Sequence, residues 1–340
     1  MAQSIPAPDE LDKLAVMDPE IAELVKQIPQ SWQPKGDDPV ELVRQMRAGY
    51  DNMPLTPPLP EVRESQSTYT TRDGTELRLC VFEPKSTTVE PLPLFVWYHG
   101  GGGCIGRPEA SAPLCRTIAL DHRCVVVAPQ YRLGPEHKFP TGVEDSWDAL
   151  NHVAARASDL DADPSVGFVI GGESAGAVIA AVLALQARDE TLNPPLTGIF
   201  LSAGSYFNPK DIPEKYKDAY RSRNDPACIN SPMLSKPVKA AFDACLQGDY
   251  SSPFFKAALW PTGRKGLPKT YLQTCGMDIN RDDGIMYADL LSKAGVQTKL
   301  DMYPGGPHCF WHLFGDTEMG SRWVKDTKDG LRWLFGETTA

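Results

Sequence analysis

The sequence predicts an α/β domain: a mostly parallel sheet with helices on both faces. Two observations carry this. From residue 92 onward, short continuous apolar runs are separated by stretches with helical spacing, the pattern of buried parallel strands joined by crossover helices. One of these runs, Phe168-Val169-Ile170, stops at Gly171-Gly172, and an Ala-rich helical pattern begins after Ser174, so the segment reads as strand, tight turn and helix.

The elements follow in order. Residues 1–61 read as an N-terminal helical cap segment. Asp18-Pro19-Glu20 and Asp38-Pro39-Val40 each place an acidic residue before a proline suited to a first helical turn, and Ile21, Leu24, Val25, then Leu42, Val43, Met46, recur at helical spacing. The Pro-rich stretch from Met53 to Pro60 cannot continue a helix and serves as a linker. Ser67 to Pro84 alternates around Asp73-Gly74, a hairpin signal, and opens the sheet with an antiparallel pair. Strands then fall at Leu94 to Tyr98, Cys124 to Ala128, the run at Phe168, Gly198 to Leu201, Thr270 to Thr274 and Lys299 to Tyr303. Helices lie near Ala112 to Leu120, Gly142 to Ala155, after Ser174, Ile285 to Ala294 and Arg322 to Leu334. These form a core of 62–204 and 262–340. The connection after Ser202 is far longer than such units need, and Asp211 to Arg223 and Lys236 to Leu246 have helical spacing, so 205–261 reads as an inserted helical lid.

Composition narrows the function. The net charge of −10 and the lack of a basic run argue against nucleic acid as a partner. No apolar run approaches the roughly 18 residues of a membrane span. The first ten residues have neither the basic nor the apolar part of a secretion signal, and the expected location is cytoplasmic. The cysteines show no C-x-x-C spacing and read as small buried hydrophobes. His308 and His312 lie four apart but without the Glu of a zinc-binding helix, so neither a metal nor a cofactor is expected. The expected partner is a small-molecule ester, with a homodimer left open.

Gly172-Glu173-Ser174-Ala175-Gly176 fits G-x-S-x-G, in which small neighbours let the chain turn sharply and hold a Ser hydroxyl above a sheet. A hydroxyl needs a base to become a nucleophile, and in the chain order Ser, acid, His that base lies downstream. Only His308 and His312 qualify; His308 lies just past the last strand, in the loop with Gly305-Gly306-Pro307. The acid should leave the end of the preceding strand, as Asp278 does. Asp282 and Asp283 are rivals, though their place at a helix start is explained by the helix dipole alone. Ala175, after the nucleophile, offers a backbone N–H to the oxyanion.

Together with His99-Gly100-Gly101-Gly102, the run Tyr131 to Pro140, Ser252-Pro253, Gly276-Met277-Asp278 and Arg281-Asp282-Asp283-Gly284, these residues resemble the α/β-hydrolase fold, and within it the hormone-sensitive-lipase-like carboxylesterases. The resemblance spans about Leu92 to His308. It implies Ser174, Asp278 and His308 as the triad, and Gly101 and Gly102 as further oxyanion donors beside Ala175. The chain departs from the family pattern at Gly103, Gln130, Gly134 and Cys309, none of which removes a catalytic atom. Gly103 stands where the family commonly has an aromatic side chain, and is expected, with Tyr206, Phe207 and Tyr220 of the lid, to shape the substrate pocket. The expected activity is hydrolysis of a neutral, moderately apolar acyl ester through an acyl-enzyme. The alternatives are an amidase, acyltransferase or lyase-type step at the same site, and a non-catalytic ligand receptor.

Overall fold

The computed structural model describes residues 5–29, 35–85 and 90–337, so the ends of the cap segment and of the core, Met1 to Ser4 and residues 338–340, lie outside the described residues. Three N-terminal helices come first: α1 (Pro8–Leu14), α2 (Pro19–Val25) and α3 (Pro39–Asp51). The last two start as the sequence suggests. The Asp18 carboxylate accepts from the Glu20 and Ile21 amides, that of Asp38 from the Val40 amide, and a proline occupies the first turn of each.

The core follows as β1 (Val62–Thr70), β2 (Glu76–Pro84), β3 (Leu94–Tyr98), α4 (Ala112–His122), β4 (Val125–Pro129), α5 (Thr141–Ala155), β5 (Phe168–Glu173), α6 (Ala175–Asp189) and β6 (Gly198–Ser202). After the insertion, with α7 (Pro226–Ile229) and α8 (Lys236–Leu246), come β7 (Lys269–Met277), α9 (Arg281–Lys293), β8 (Thr298–Pro307) and α10 (Glu318–Phe335). The sheet order is β1-β2-β4-β3-β5-β6-β7-β8, with β2 antiparallel to both β1 and β4 and every later pairing parallel. Strands β3, β4, β5 and β6 are buried along their whole length, as continuous apolar runs require when helices cover both faces.

One sheet face packs against α5, α6 and α9 around Val96, Ile170, Leu183 and Met286; the other packs against α4 and α10 around Phe95, Val126, Ile118 and Leu331. The cap segment divides. Ile21 of α2 packs with Cys275, Tyr303 and Phe310 under the β7 and β8 ends, whereas Val43 and Met46 of α3 pack with Phe242 and Cys245 of α8.

The helix expected over Asp211 to Arg223 is absent; only a 3-10 turn, Glu214–Tyr216, forms there. Side-chain carboxylates take the backbone donors a helix would have used: the Arg221 and Ser222 amides both donate to Asp282.

Candidate active site

Ser174 sits between β5 and α6 with φ 52° and ψ −116°, a strained conformation for a residue with a side chain, which lifts its Oγ off the strand end. Close approach explains a flanking glycine. A Cβ on Gly176 would stand inside the Tyr98 carbonyl oxygen, so the turn closes only without one.

The register of the last two strands brings the other two groups together. Met277 of β7 pairs with Pro307 of β8, so Asp278 and His308, one residue beyond, leave the sheet side by side. His308 Nδ1 lies 2.6 Å from Asp278 Oδ2 and its Nε2 lies 2.8 Å from Ser174 Oγ. Asp278 Oδ1 accepts from the Asn280 amide at 2.9 Å, which holds the carboxylate edge toward the ring. Both Asp278 and His308 are buried, at the carboxyl ends of parallel strands where open α/β sheets place their ligands.

The rival residues are occupied elsewhere. His312 Nε2 lies 2.9 Å from Glu173 Oε1, and Trp311 Nε1 donates to Glu173 Oε2 at 3.1 Å. Burial works against charge on Glu173, while the His312 side chain stays half exposed; their mutual attraction and hydrogen bonding prevail, so the imidazole is raised above its ordinary range and the carboxyl held below its own. Asp282 and Asp283 do start α9, but the helix dipole is not their whole explanation. Asp283 is fully buried and accepts from the Tyr206 and Phe207 amides, the Tyr220 hydroxyl and the Arg223 guanidinium, pinning the insertion to the core. Asp282 does the same for Arg221 and Ser222.

The loop after β3 crosses above Ser174: a Cβ on Gly100 would be 3.3 Å from that of Ser174. Gly101, Gly102 and Gly103 all have positive φ. Ala175 begins α6, so its amide is one of the free N–H groups of a helix N-terminus. His99 is buried and braces the loop, its ring stacked on Tyr131 at 4.4 Å and its Nδ1 2.7 Å from the Gly100 carbonyl. Burial depresses its pKa, keeping the ring neutral.

A cavity of about 270 Å³ opens over Ser174 and His308. Its apolar wall comes from both added segments, Met46 and Tyr50 of α3 facing Val238, Phe242 and Leu246 of α8. Gly103 is among the residues that line it, and Tyr206, Phe207 and Tyr220 are not. Tyr206 is buried against Tyr287 at 4.4 Å, Phe207 sits in the main core, and Tyr220 is spent on Asp283 and Arg223. The aromatic residues nearest the start of the insertion are drawn into the core by the Asp283 anchor, and the wall is built by α8 instead. At Gly103, φ is +70° and an added Cβ would be 3.0 Å from Leu246, so backbone conformation as well as pocket space calls for glycine. Lys239 and Lys256 also line the cavity. Sequence reasoning missed both: the i,i+4 pairing of Lys239 with Asp243 looks like a solvated helix surface, and nothing around Lys256 marks it as buried.

Comparison with known proteins agrees with this architecture. A model of the alpha/beta hydrolase fold family matches residues 95–312. An AB hydrolase superfamily protein of Schizosaccharomyces pombe is 34% identical over 330 residues, covering 95% of each chain. The carboxylesterase NlhH of Mycobacterium tuberculosis is 34% identical over 260 residues, 74% of this chain and 77% of its own. The solved structure of vibralactone cyclase superposes with a TM-score of 0.88 at 31% identity, covering 96% of this chain and 97% of its own. With an eight-stranded sheet of this order beneath the same motifs, the chain belongs to the α/β-hydrolase fold family, in its hormone-sensitive-lipase-like branch, and is an enzyme, a hydrolase of the carboxylesterase type.

Proposed function

We propose that the enzyme hydrolyses carboxylic esters with a moderately apolar acyl group, using Ser174 as nucleophile, His308 as general base and acid, and Asp278 to orient the imidazole. The observation that carries this reading is the hydrogen-bonded line from Asp278 through His308 to Ser174 at the cavity floor. His308 Nε2 takes the Oγ proton as Ser174 attacks the acyl carbon, and Asp278 steadies the imidazolium that forms. The carbonyl oxygen, now anionic, is received by the amides of Ala175, Gly101 and Gly102, donors already in place before the charge develops. Collapse of this intermediate passes the proton to the leaving alcohol and leaves an acyl-Ser174 ester, which water cleaves by the same steps in reverse order.

The apolar wall supports an apolar substrate body, while Lys239 and Lys256 are at odds with a wholly neutral one. All eight thiols are buried and unpaired, which supports a cytoplasmic location. The two added segments, N-terminal and inserted, act together as a cap, since α3 and α8 pack on one another over the site.

The test is kcat on p-nitrophenyl butyrate for Ser174→Ala, His308→Ala and the double variant. Because the residues act as one unit, the double variant should be about as inactive as either single one. A Ser174→Ala enzyme keeping more than about a tenth of wild-type kcat, beyond what the residual catalysis of a disabled triad allows, would overturn the assignment. Similarity to a protein named a cyclase favours a second reading, in which the same site closes a ring within its substrate instead of admitting water.

A further inference from the structure

One wall of the cavity carries a cluster the ester chemistry does not use. Lys256 is buried, and its Nζ donates to Ser205 Oγ at 2.9 Å and to the Ser205 carbonyl at 3.3 Å, while lying 4.7 Å from the Tyr250 ring centre and 4.6 Å from that of Phe255. Lys239 reaches Asp243 at 3.1 Å and the Tyr250 hydroxyl at 3.0 Å. Behind them Arg223 binds Asp283 at 2.9 Å and Ser205 Oγ at 2.8 Å. Lys239, Lys256, Ser205, Asp243 and Asn280 all line the same cavity as Ser174 and His308.

The charges do not balance. Among the described residues, Arg223 is paired with Asp283 and Lys239 with Asp243, whereas Lys256 Nζ contacts only the Ser205 oxygens and aromatic faces. A buried ammonium without a counter-ion is costly. Burial, and then the repulsion of Lys239 and Arg223, outweigh the weaker attraction of Asp283 and Asp243 and hold the Lys256 pKa well below its ordinary value. An anionic oxygen arriving in the cavity would supply the missing partner.

We propose that Lys256, with Lys239 and Ser205, forms a subsite for a carboxylate on the substrate, so that the preferred esters are acidic ones whose apolar body joins the scissile bond to a carboxylate. The inference rests on the ester-hydrolase reading for its chemistry but makes its own demand on selectivity. Charge-assisted hydrogen bonds are about twice as strong as neutral ones, and the low dielectric of the cavity strengthens them further.

The experiment compares matched pairs in the wild-type enzyme. p-Nitrophenyl monoesters of succinate, glutarate and adipate are set against isosteres ending in an isopropyl group, and p-carboxybenzyl acetate against p-isopropylbenzyl acetate. For at least one pair, kcat/KM should favour the carboxylate by about tenfold or more, the worth of one charge-assisted hydrogen bond. Lys256→Met should reduce that ratio by about the same factor. Because the ratio is taken within one preparation, a loss of folded enzyme cancels. Wild-type enzyme that prefers the isopropyl member of every pair, or shows no preference in any, overturns the subsite, as does a ratio untouched in both Lys256→Met and Lys256→Gln. If no ester of either kind is cleaved, the ester-hydrolase reading itself fails. The subsite is then decided by calorimetry on the wild-type protein with glutarate, whose binding Lys256→Met should weaken and whose failure to bind would overturn the proposal.

Discussion

Replacing Asp278 with Asn is a demanding test of the assigned acid, because each carboxylate oxygen faces a donor. Oδ2 meets His308 Nδ1 at 2.6 Å and Oδ1 meets the Asn280 amide at 2.9 Å. An amide has one oxygen for these two donors. With its NH2 toward the ring, His308 must accept at Nδ1 and carry its proton on Nε2, where it can no longer take the proton from Ser174. With its NH2 toward Asn280, the side-chain NH2 and the Asn280 backbone N–H oppose each other as two donors, and one buried hydrogen bond to a charged group, about 1.5–3 kcal/mol, is lost. The wrong tautomer in a serine hydrolase triad lowers kcat by about ten-thousandfold, or about 5.4 kcal/mol at 1.36 kcal/mol per factor of ten. Asp278→Asn should therefore lose between about a hundredfold and ten-thousandfold in kcat on p-nitrophenyl butyrate. Circular dichroism and a melting curve would establish that the variant is folded. Asp282→Asn, whose oxygens face Arg281, Arg221 and Ser222 rather than His308, should mainly lower the melting temperature. A folded Asp278→Asn enzyme within about tenfold of wild type, or a larger kcat loss in Asp282→Asn, would refute the reasoning.

Other outcomes follow from the same geometry. Gly176→Ala should yield little folded, active enzyme, because the added methyl meets the Tyr98 carbonyl; wild-type-like kcat and melting would contradict the elbow packing. The pKa of His312 is raised above 6.5 by its ion pair with Glu173, so its stabilisation is present below that value and lost as pH rises through the folded-state pKa. The melting-temperature penalty of His312→Gln should accordingly shrink between about pH 6 and pH 9, and a penalty that grows over that range would show the sign to be wrong. Met46→Ala opens the cavity wall and should shift the hexanoate-to-acetate ratio of kcat/KM by about tenfold, since a methylene of fit is worth roughly 1–3 kcal/mol. An unchanged ratio would remove α3 from the substrate-contacting surface.

Much of the architecture is legible in the chain because it depends on local pattern. Continuous apolar runs such as Leu94 to Tyr98 become fully buried parallel strands, and Asp18-Pro19 and Asp38-Pro39 become capped helix starts. The positions of Ser174 and His308 could be read from a turn motif and a strand end. The insertion could not be read as well. Its spacing suggested a helix through Arg223, but Asp282 and Asp283, some sixty residues downstream, capture its backbone donors, a long-range competition that periodicity does not record. The same anchoring buries Tyr206 and Phe207 in the core and leaves the wall to α8 and α3. Lys256 was illegible for a related reason: burial of a lone ammonium is a property of packing, and Ser252 to Lys256 carries no charge pattern to announce it.

The central claim is that Ser174 is an activated nucleophile in an accessible cavity. Incubation with an alkyl fluorophosphonate, followed by intact-protein and peptide mass spectrometry, tests it most directly. One adduct per chain, located on Ser174 and lost in both Ser174→Ala and His308→Ala, is the predicted result. An unlabelled wild-type protein, or an adduct that persists in Ser174→Ala, would contradict it.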